Sequence, residues 1–182
     1  MPRQELEFIT ARRSIRTYTE REVDAETVKD LLRAAMAAPS ACCRDPWRFV
    51  VVRERERLAR LASGLPNGQM LAHAGVGIVV CGELEAAHDG QESYMLQDCS
   101  ASIQNLLLAA NALGLGACWL GVHPREDRMA HLRQALGLPE TVVPVAAIAV
   151  GWPAEQKAPR TRYDAAKVHD ETWSSGGDVA LP

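Results

Sequence analysis

The chain has 182 residues, 47% apolar and 24% charged, with a formal net charge of −3. That length suits one domain with a substantial core, and the near-neutral balance offers no general attraction to nucleic acid or anionic lipid. The longest apolar stretches, such as Val143 to Val150, are far too short to span a bilayer, and Met1 leads into a charged segment, so no membrane or secretory role is expected.

Gln4 to Arg13 reads as a short helix with Leu6 and Ile9 on one face. A second helix begins at Asp24, an N-cap flanked by Val23 and Val28 at staple positions. It carries Val28, Leu31, Leu32, Ala35 and Met36 at helical spacing and stops before Pro39. Phe49 to Val52 reads as a buried strand, Glu54 to Ala62 as a charged helix ending at Gly64, and Val76 to Cys81 as a second buried strand. After a polar loop, Gly82 to Gln91, a long helix from about Ser93 to Leu113 is apolar enough to be buried nearly all round. Gly114 and Gly116 end it. Ala117 to Leu120 is a third strand, Arg125 to Leu136 a helix closed by Gly137, and Val143 to Val150 a fourth strand. The remainder is Pro-rich and polar, with Trp173 its last large apolar anchor. Apolar strands alternating with helices require a sheet covered on both faces; strand order is not readable.

Four segments offer chemistry. Arg12, Arg13, Ser14 and Arg16 place three guanidinium groups and a hydroxyl within five residues, donors that match phosphate oxygens. Taken alone, a solvated basic helix end explains this cluster better. Arg160 and Arg162 form a second basic pair, and nothing in the sequence says that the two clusters meet. The loop Pro39-Ser40-Ala41-Cys42-Cys43-Arg44-Asp45-Pro46-Trp47 is stiffened by prolines and small enough for close approach, or is a connection with Trp47 in the core. Gly114 to Gly121 superficially resembles a dinucleotide-binding glycine motif in the wrong order: it follows a helix and precedes a strand. Walker A and nucleophile-elbow motifs are absent, and the five histidines have no metal-ligand spacing, so no metal is expected. The five cysteines are odd in number and without framework spacing, which points to a reducing, cytoplasmic setting.

In order, these segments resemble the FMN-dependent nitroreductase family over roughly Glu7 to Trp173. The resemblance is carried by Arg12 to Arg16 followed by Tyr18, by Ala38 to Phe49, by Asp98 to Leu107, by Gly114 to Gly121, and by Gly151 to Glu155 with an arginine-bearing tail. It implies an α+β fold, a mixed central sheet sandwiched by helices in an intertwined homodimer. The chain is then one FMN-binding domain, residues 1–182, with an extended tail from about 152. It implies that Arg12, Arg13, Ser14 and Arg16 hold flavin phosphate and neighbouring oxygens, with Arg160 or Arg162 adding to the phosphate site. Pro39, Ser40 and Ala41 would reach the flavin from the other subunit, and backbone at Leu120 and Gly121 would approach its N5 edge. Relatives often carry Asn-x-Gln where this chain has Cys43 and Asp45; a thiol cannot reproduce an amide's paired donor and acceptor, and flavin contact by Cys43 is expected.

The implied activity is electron transfer from NADH or NADPH through FMN to a small acceptor, such as a nitroaromatic or quinone, by a ping-pong mechanism with no catalytic side chain. The alternatives are a flavin-dependent dehydrogenase or dehalogenase on the same scaffold, and a flavin-binding module without turnover.

Overall fold

A computed structural model describes residues 3–173 of the chain. In chain order they form α1 (Glu7–Ala11), α2 (Ala25–Met36), β1 (Trp47–Val52), α3 (Arg55–Ser63), β2 (Val76–Glu83), α4 (Glu92–Ala112), β3 (Gly116–Gly121), α5 (Glu126–Leu136) and β4 (Val142–Gly151). The strands make one sheet in the order β1-β2-β4-β3, and each neighbouring pair is antiparallel. The mixed character implied by the family is confined to one parallel bridge, Ser14 to Ala117, that lays the N-terminal segment along β3.

Both faces of the sheet are covered, as the apolar strands require. Ile78, Val80, Ile148 and Val150 pack with Leu31 of α2 and Ile103 and Leu106 of α4. On the other face Val79, Ala147 and Ala149 pack with Leu58 and Leu61 of α3 and Leu132 of α5. Successive apolar residues therefore mark two-sided burial in an antiparallel sheet, with alternate side chains serving opposite cores. β1 departs from its expected burial: as an edge strand it keeps Arg48 and Val51 exposed. The β2–β4 register shifts between Val80 and Cys81, where Pro144 stands opposite without an N–H to offer. The carbonyl of the skipped Val145 accepts from the backbone N–H groups of Val122 and His123 and so holds the chain just beyond Gly121.

Asp24 caps α2 as expected, its carboxylate accepting from Thr27 N at 2.8 Å, with Val23 and Val28 buried beside it. α1 is shorter than the helix expected over Gln4 to Arg13. A 3₁₀ turn precedes it, and Arg12 is already extended (φ −62°, ψ 121°) because the bridge to β3 takes over the backbone. α4 is not buried all round. Met95, Cys99, Ile103 and Ala110 face the core, whereas Gln97 and Gln104 are exposed and Ala101 and Leu108 half-buried. Among the described residues Trp173 is no apolar anchor: it is 88% exposed and stacks on the His169 ring, at 4.1 Å between centroids. The tail expected from about 152 is described as far as this residue; the rest lies outside the described residues. No helix among the described residues is long and apolar enough to cross a membrane.

Candidate functional site

The site begins with the extended segment Arg12–Arg16 on the edge of β3. Ile15 N donates to Ala117 O at 3.0 Å, and the Ile15 side chain is buried. Gly116 makes this possible: a Cβ there would stand 2.6 Å from Ile15 Cγ2. Gly116 therefore serves the strand contact rather than helix termination, whereas Gly114, at φ +75°, is the turn residue the sequence suggested. With Ile15 pinned inward, the alternation of an extended chain brings Arg12, Ser14 and Arg16 to one side.

The tail after β4 runs back along this segment. Thr19 N donates to Trp152 O, Ala154 N to Thr17 O and Arg160 N to Thr10 O, at 2.9, 2.9 and 3.1 Å. Arg13 Nη1 donates to Ala158 O, and Lys157 Nζ to Ser14 O at 2.8 Å. Glu155 takes the N–H groups of Arg16 and Thr17, with Lys157 Nζ 3.1 Å away. These hydrogen bonds hold the Glu155 carboxyl below the usual carboxylate range, the Arg16 N–H being the largest cause. Tyr18, its hydroxyl donating to Ile15 O at 2.7 Å, is pushed up by burial, and its ring lies where a Cβ on Gly151 would be.

The two basic clusters meet. Arg12, Arg13, Ser14, Arg16, Lys157, Arg160 and Arg162 line one cavity of about 570 Å³, completed by Gln104 and Leu107 of α4 and Trp119 of β3. Among the described residues, Arg12, Arg16, Arg160 and Arg162 form no ion pair with a carboxylate. Four uncompensated guanidinium groups around one hollow repel one another until an anion enters, and their forked donors suit phosphate.

Next to it is a cleft of about 200 Å³ that shares Arg16 and Trp119. Leu120 and Gly121 form one side, Leu65 to Gly68 another, and Arg128 a third. Gly121 is exposed, and a Cβ on it would meet nothing within 4 Å, so its backbone faces open space.

The profile of the nitroreductase family matches residues 9–66 and 61–152. The chain belongs to the nitroreductase family. A protein of Archaeoglobus fulgidus, provisionally named NADH dehydrogenase/NAD(P)H nitroreductase, is 42% identical over 171 residues, 92% of this chain and 98% of the relative. A crystal structure under the same provisional name from Parabacteroides distasonis superposes with TM-score 0.88 at 41% identity, over 94% of this chain and 100% of that one. A provisionally named nitroreductase of Desulfovibrio desulfuricans, crystallised in complex with FMN, gives TM-score 0.80 at 34% identity, over 96% and 100%.

Pro39, Ser40, Ala41 and Cys43 line neither the cavity nor the cleft of their own chain. Their loop is built to hold one shape. Cys42, Cys43 and Asp45 all have φ of 50–52°, a left-handed conformation that L-residues adopt only under local constraint. Two constraints are present. Ala41 N donates to Asp98 Oδ1 at 2.9 Å, reaching a carboxylate buried on α4. The Ser40 hydroxyl donates to the Asp45 carboxylate and accepts from Asp45 N at 3.0 Å. The Asp45 charge is thus turned back onto its own loop. Cys42 Sγ lies 3.8 Å from His88 Nε2.

Sequence reasoning missed Lys157, Gln104, Trp119, Asp98 and Arg128. Lys157 had a signal, as the first cation of a run continued by Arg160 and Arg162. Arg128 had none, because only the turn after β3 brings α5 back to Gly121.

Proposed function

We propose that this chain is an FMN-dependent oxidoreductase that takes electrons from NADH or NADPH and reduces a small acceptor such as a nitroaromatic or quinone. The observation that carries this is the convergence of Arg12, Arg16, Arg160 and Arg162 on one cavity with no carboxylate ion-paired to them among the described residues. The nitroreductase relationship and the FMN-bound relative support it.

The residues present fit the cofactor. Arg12, Arg16, Arg160 and Arg162 supply forked donors for the phosphate, and the Ser14 hydroxyl adds a neutral one. Arg13 braces the tail through Ala158 O, and Lys157 bridges Ser14 O and Glu155, so the cavity wall is set before any ligand arrives. Leu120 and Gly121 offer backbone in the adjoining cleft, where a flat ring system meets no side chain from Gly121. FMN held there would supply the two-electron relay between reduced nicotinamide and the acceptor. The protein's part is to bind, orient and exclude, and no catalytic side chain is assigned.

The working unit is a homodimer of this single FMN-binding domain, in the cytoplasm, in which Pro39, Ser40, Ala41 and Cys43 complete the partner's flavin site. The open side of α4 supports this, as do the exposed apolar residues Phe8 and Ile9 of α1 and Leu113 at the end of α4, 44%, 43% and 44% exposed. Asn111 on α4 donates to Phe8 O at 3.0 Å and keeps the two helices in one surface.

The test is the visible spectrum of the purified protein before and after anaerobic NADH, then NADPH. Flavin bands that bleach support the reductase and identify its donor. Bands that persist favour a dehydrogenase or a binding module without turnover, and no flavin even after added FMN overturns the proposal. Arg12→Ala should weaken FMN retention at least tenfold, the scale of one lost charged hydrogen bond, about 1.5–3 kcal/mol. Unchanged affinity would remove Arg12 from the site.

A further inference from the structure

Arg128 stands in the first turn of α5, and its Nη1 donates to Gly121 O at 2.8 Å. The guanidinium thereby holds the end of β3 and walls the small cleft together with Arg16. Its Nε is buried and has no hydrogen-bond partner among the described residues. A buried N–H without an acceptor destabilises a fold unless something else gains from its presence. Arg16 and Arg128 are both without an ion-pair partner among the described residues, and no carboxylate lines the cleft. Two cations, an open backbone edge and no opposing charge make a seat for a flat group that becomes negative.

We propose that Arg128 sets the charge of the flavin cleft: it holds the Gly121 end of β3 and, with Arg16, favours the bound flavin in its reduced, negatively charged form. The inference rests on the FMN reading above. Hydride transfer moves two electrons and one proton, so the accepting ring system gains one negative charge while the nicotinamide leaves as its oxidised cation. A cation lining the same small cleft stabilises that charge, because such interactions are only partly screened at a protein surface. Glu155 holds the backbone N–H of Arg16 and forms no ion pair with its guanidinium. Arg128 likewise has no counter-charge among the described residues, and in addition it holds the Gly121 carbonyl.

The experiment measures the midpoint potential of bound FMN in wild type, Arg128→Gln and Arg128→Lys holoproteins, by anaerobic reduction against a reference dye. The affinity for oxidised FMN is taken from flavin fluorescence on the same samples. Arg128→Gln is expected to lose on the order of tenfold in its preference for reduced over oxidised flavin, a fall of ~30 mV for a two-electron couple. Arg128→Lys keeps the charge and should stay near wild type. A potential unmoved in Arg128→Gln overturns the proposal. So does a fall in Arg128→Lys as large as in Arg128→Gln, which would assign the effect to the Gly121 contact instead of to charge. If Arg128→Gln does not fold, Arg128→Met takes its place as the charge-removing variant, with the same fall expected and an unmoved potential overturning the proposal. A wild-type protein that takes up no FMN overturns the functional reading and this inference with it, whereas FMN bound with unmoved potentials overturns the inference alone.

Discussion

Glu155 Oε1 accepts the backbone N–H groups of both Arg16 and Thr17, so a carboxylate in the tail fixes the main chain of a residue whose side chain faces the cavity. The arrangement keeps the negative charge on the backbone and leaves the guanidinium of Arg16 to the hollow. Because these bonds form only in the folded chain, Glu155 ionises more readily there than in the unfolded one.

The sign of the pH dependence follows. A depressed folded-state carboxyl stabilises above its unfolded pKa, about 4.3 for glutamate, and that contribution is lost as pH falls through the folded value. Glu155→Gln in the flavin-free protein should therefore melt below wild type at neutral pH, with the gap closing in acid. Thermal unfolding followed across pH checks this; a gap that stays constant into acid would contradict it.

Gly116→Ala should act at a distance of two residues along the bridge. The added methyl collides with Ile15, whose displacement moves Ser14 and Arg16. A loss of about 1–3 kcal/mol is the usual scale of such overpacking, and FMN affinity should fall with it. Urea unfolding and flavin titration of the same variant test the two together. Full stability with weakened FMN binding would place the fault in the cavity instead of in the packing.

The five cysteines divide by burial. Cys81 and Cys99 are pushed up to about 12, and Cys118 is also raised, against the opposing influence of Arg16, Lys157 and Arg12. Cys42 and Cys43 are exposed. A disulfide reagent at mildly alkaline pH should therefore label no more than Cys42 and Cys43 in the native chain, and the remaining three only after denaturation. Mass spectrometry of the labelled peptides gives the answer, and rapid native labelling of Cys99 would contradict this burial.

Asp98→Ala removes the acceptor for Ala41 N. The orphaned amide and the emptied space should cost about 1–3 kcal/mol and loosen the left-handed turn at Cys42 and Cys43. Asp98→Asn keeps an acceptor oxygen and should do less. Hydrogen exchange resolves the point: faster exchange confined to residues 40–45 in the alanine variant is expected, and uniform exchange across α4 and the loop would mean that the aspartate serves the helix as a whole.

The helices and strands were legible because caps, glycines and apolar periods act locally. Asp24, Gly64 and Gly137 stand where the sequence put them. What escaped depended on partners far along the chain. β1 is open to solvent because of its place at the sheet edge, which its own residues do not encode. Arg12 and Arg160 read as ordinary surface cations until the tail folds back over Thr10. The left-handed turn at Cys42 and Cys43 is imposed by Asp98 and Asp45, not by glycine, so no local signal announced it.

The joining of residues 10–16 to residues 152–160 also sets an order of events during synthesis. Every cation of the first cluster is translated before β1, whereas Lys157, Arg160 and Arg162 follow β4. A nascent chain that already holds all four strands still lacks part of the cavity wall. In the proposed site, loading with a phosphate-bearing cofactor therefore waits for residues 157–162 to leave the ribosome, and a chain interrupted before Lys157 would carry the sheet strands without the second half of the cavity wall.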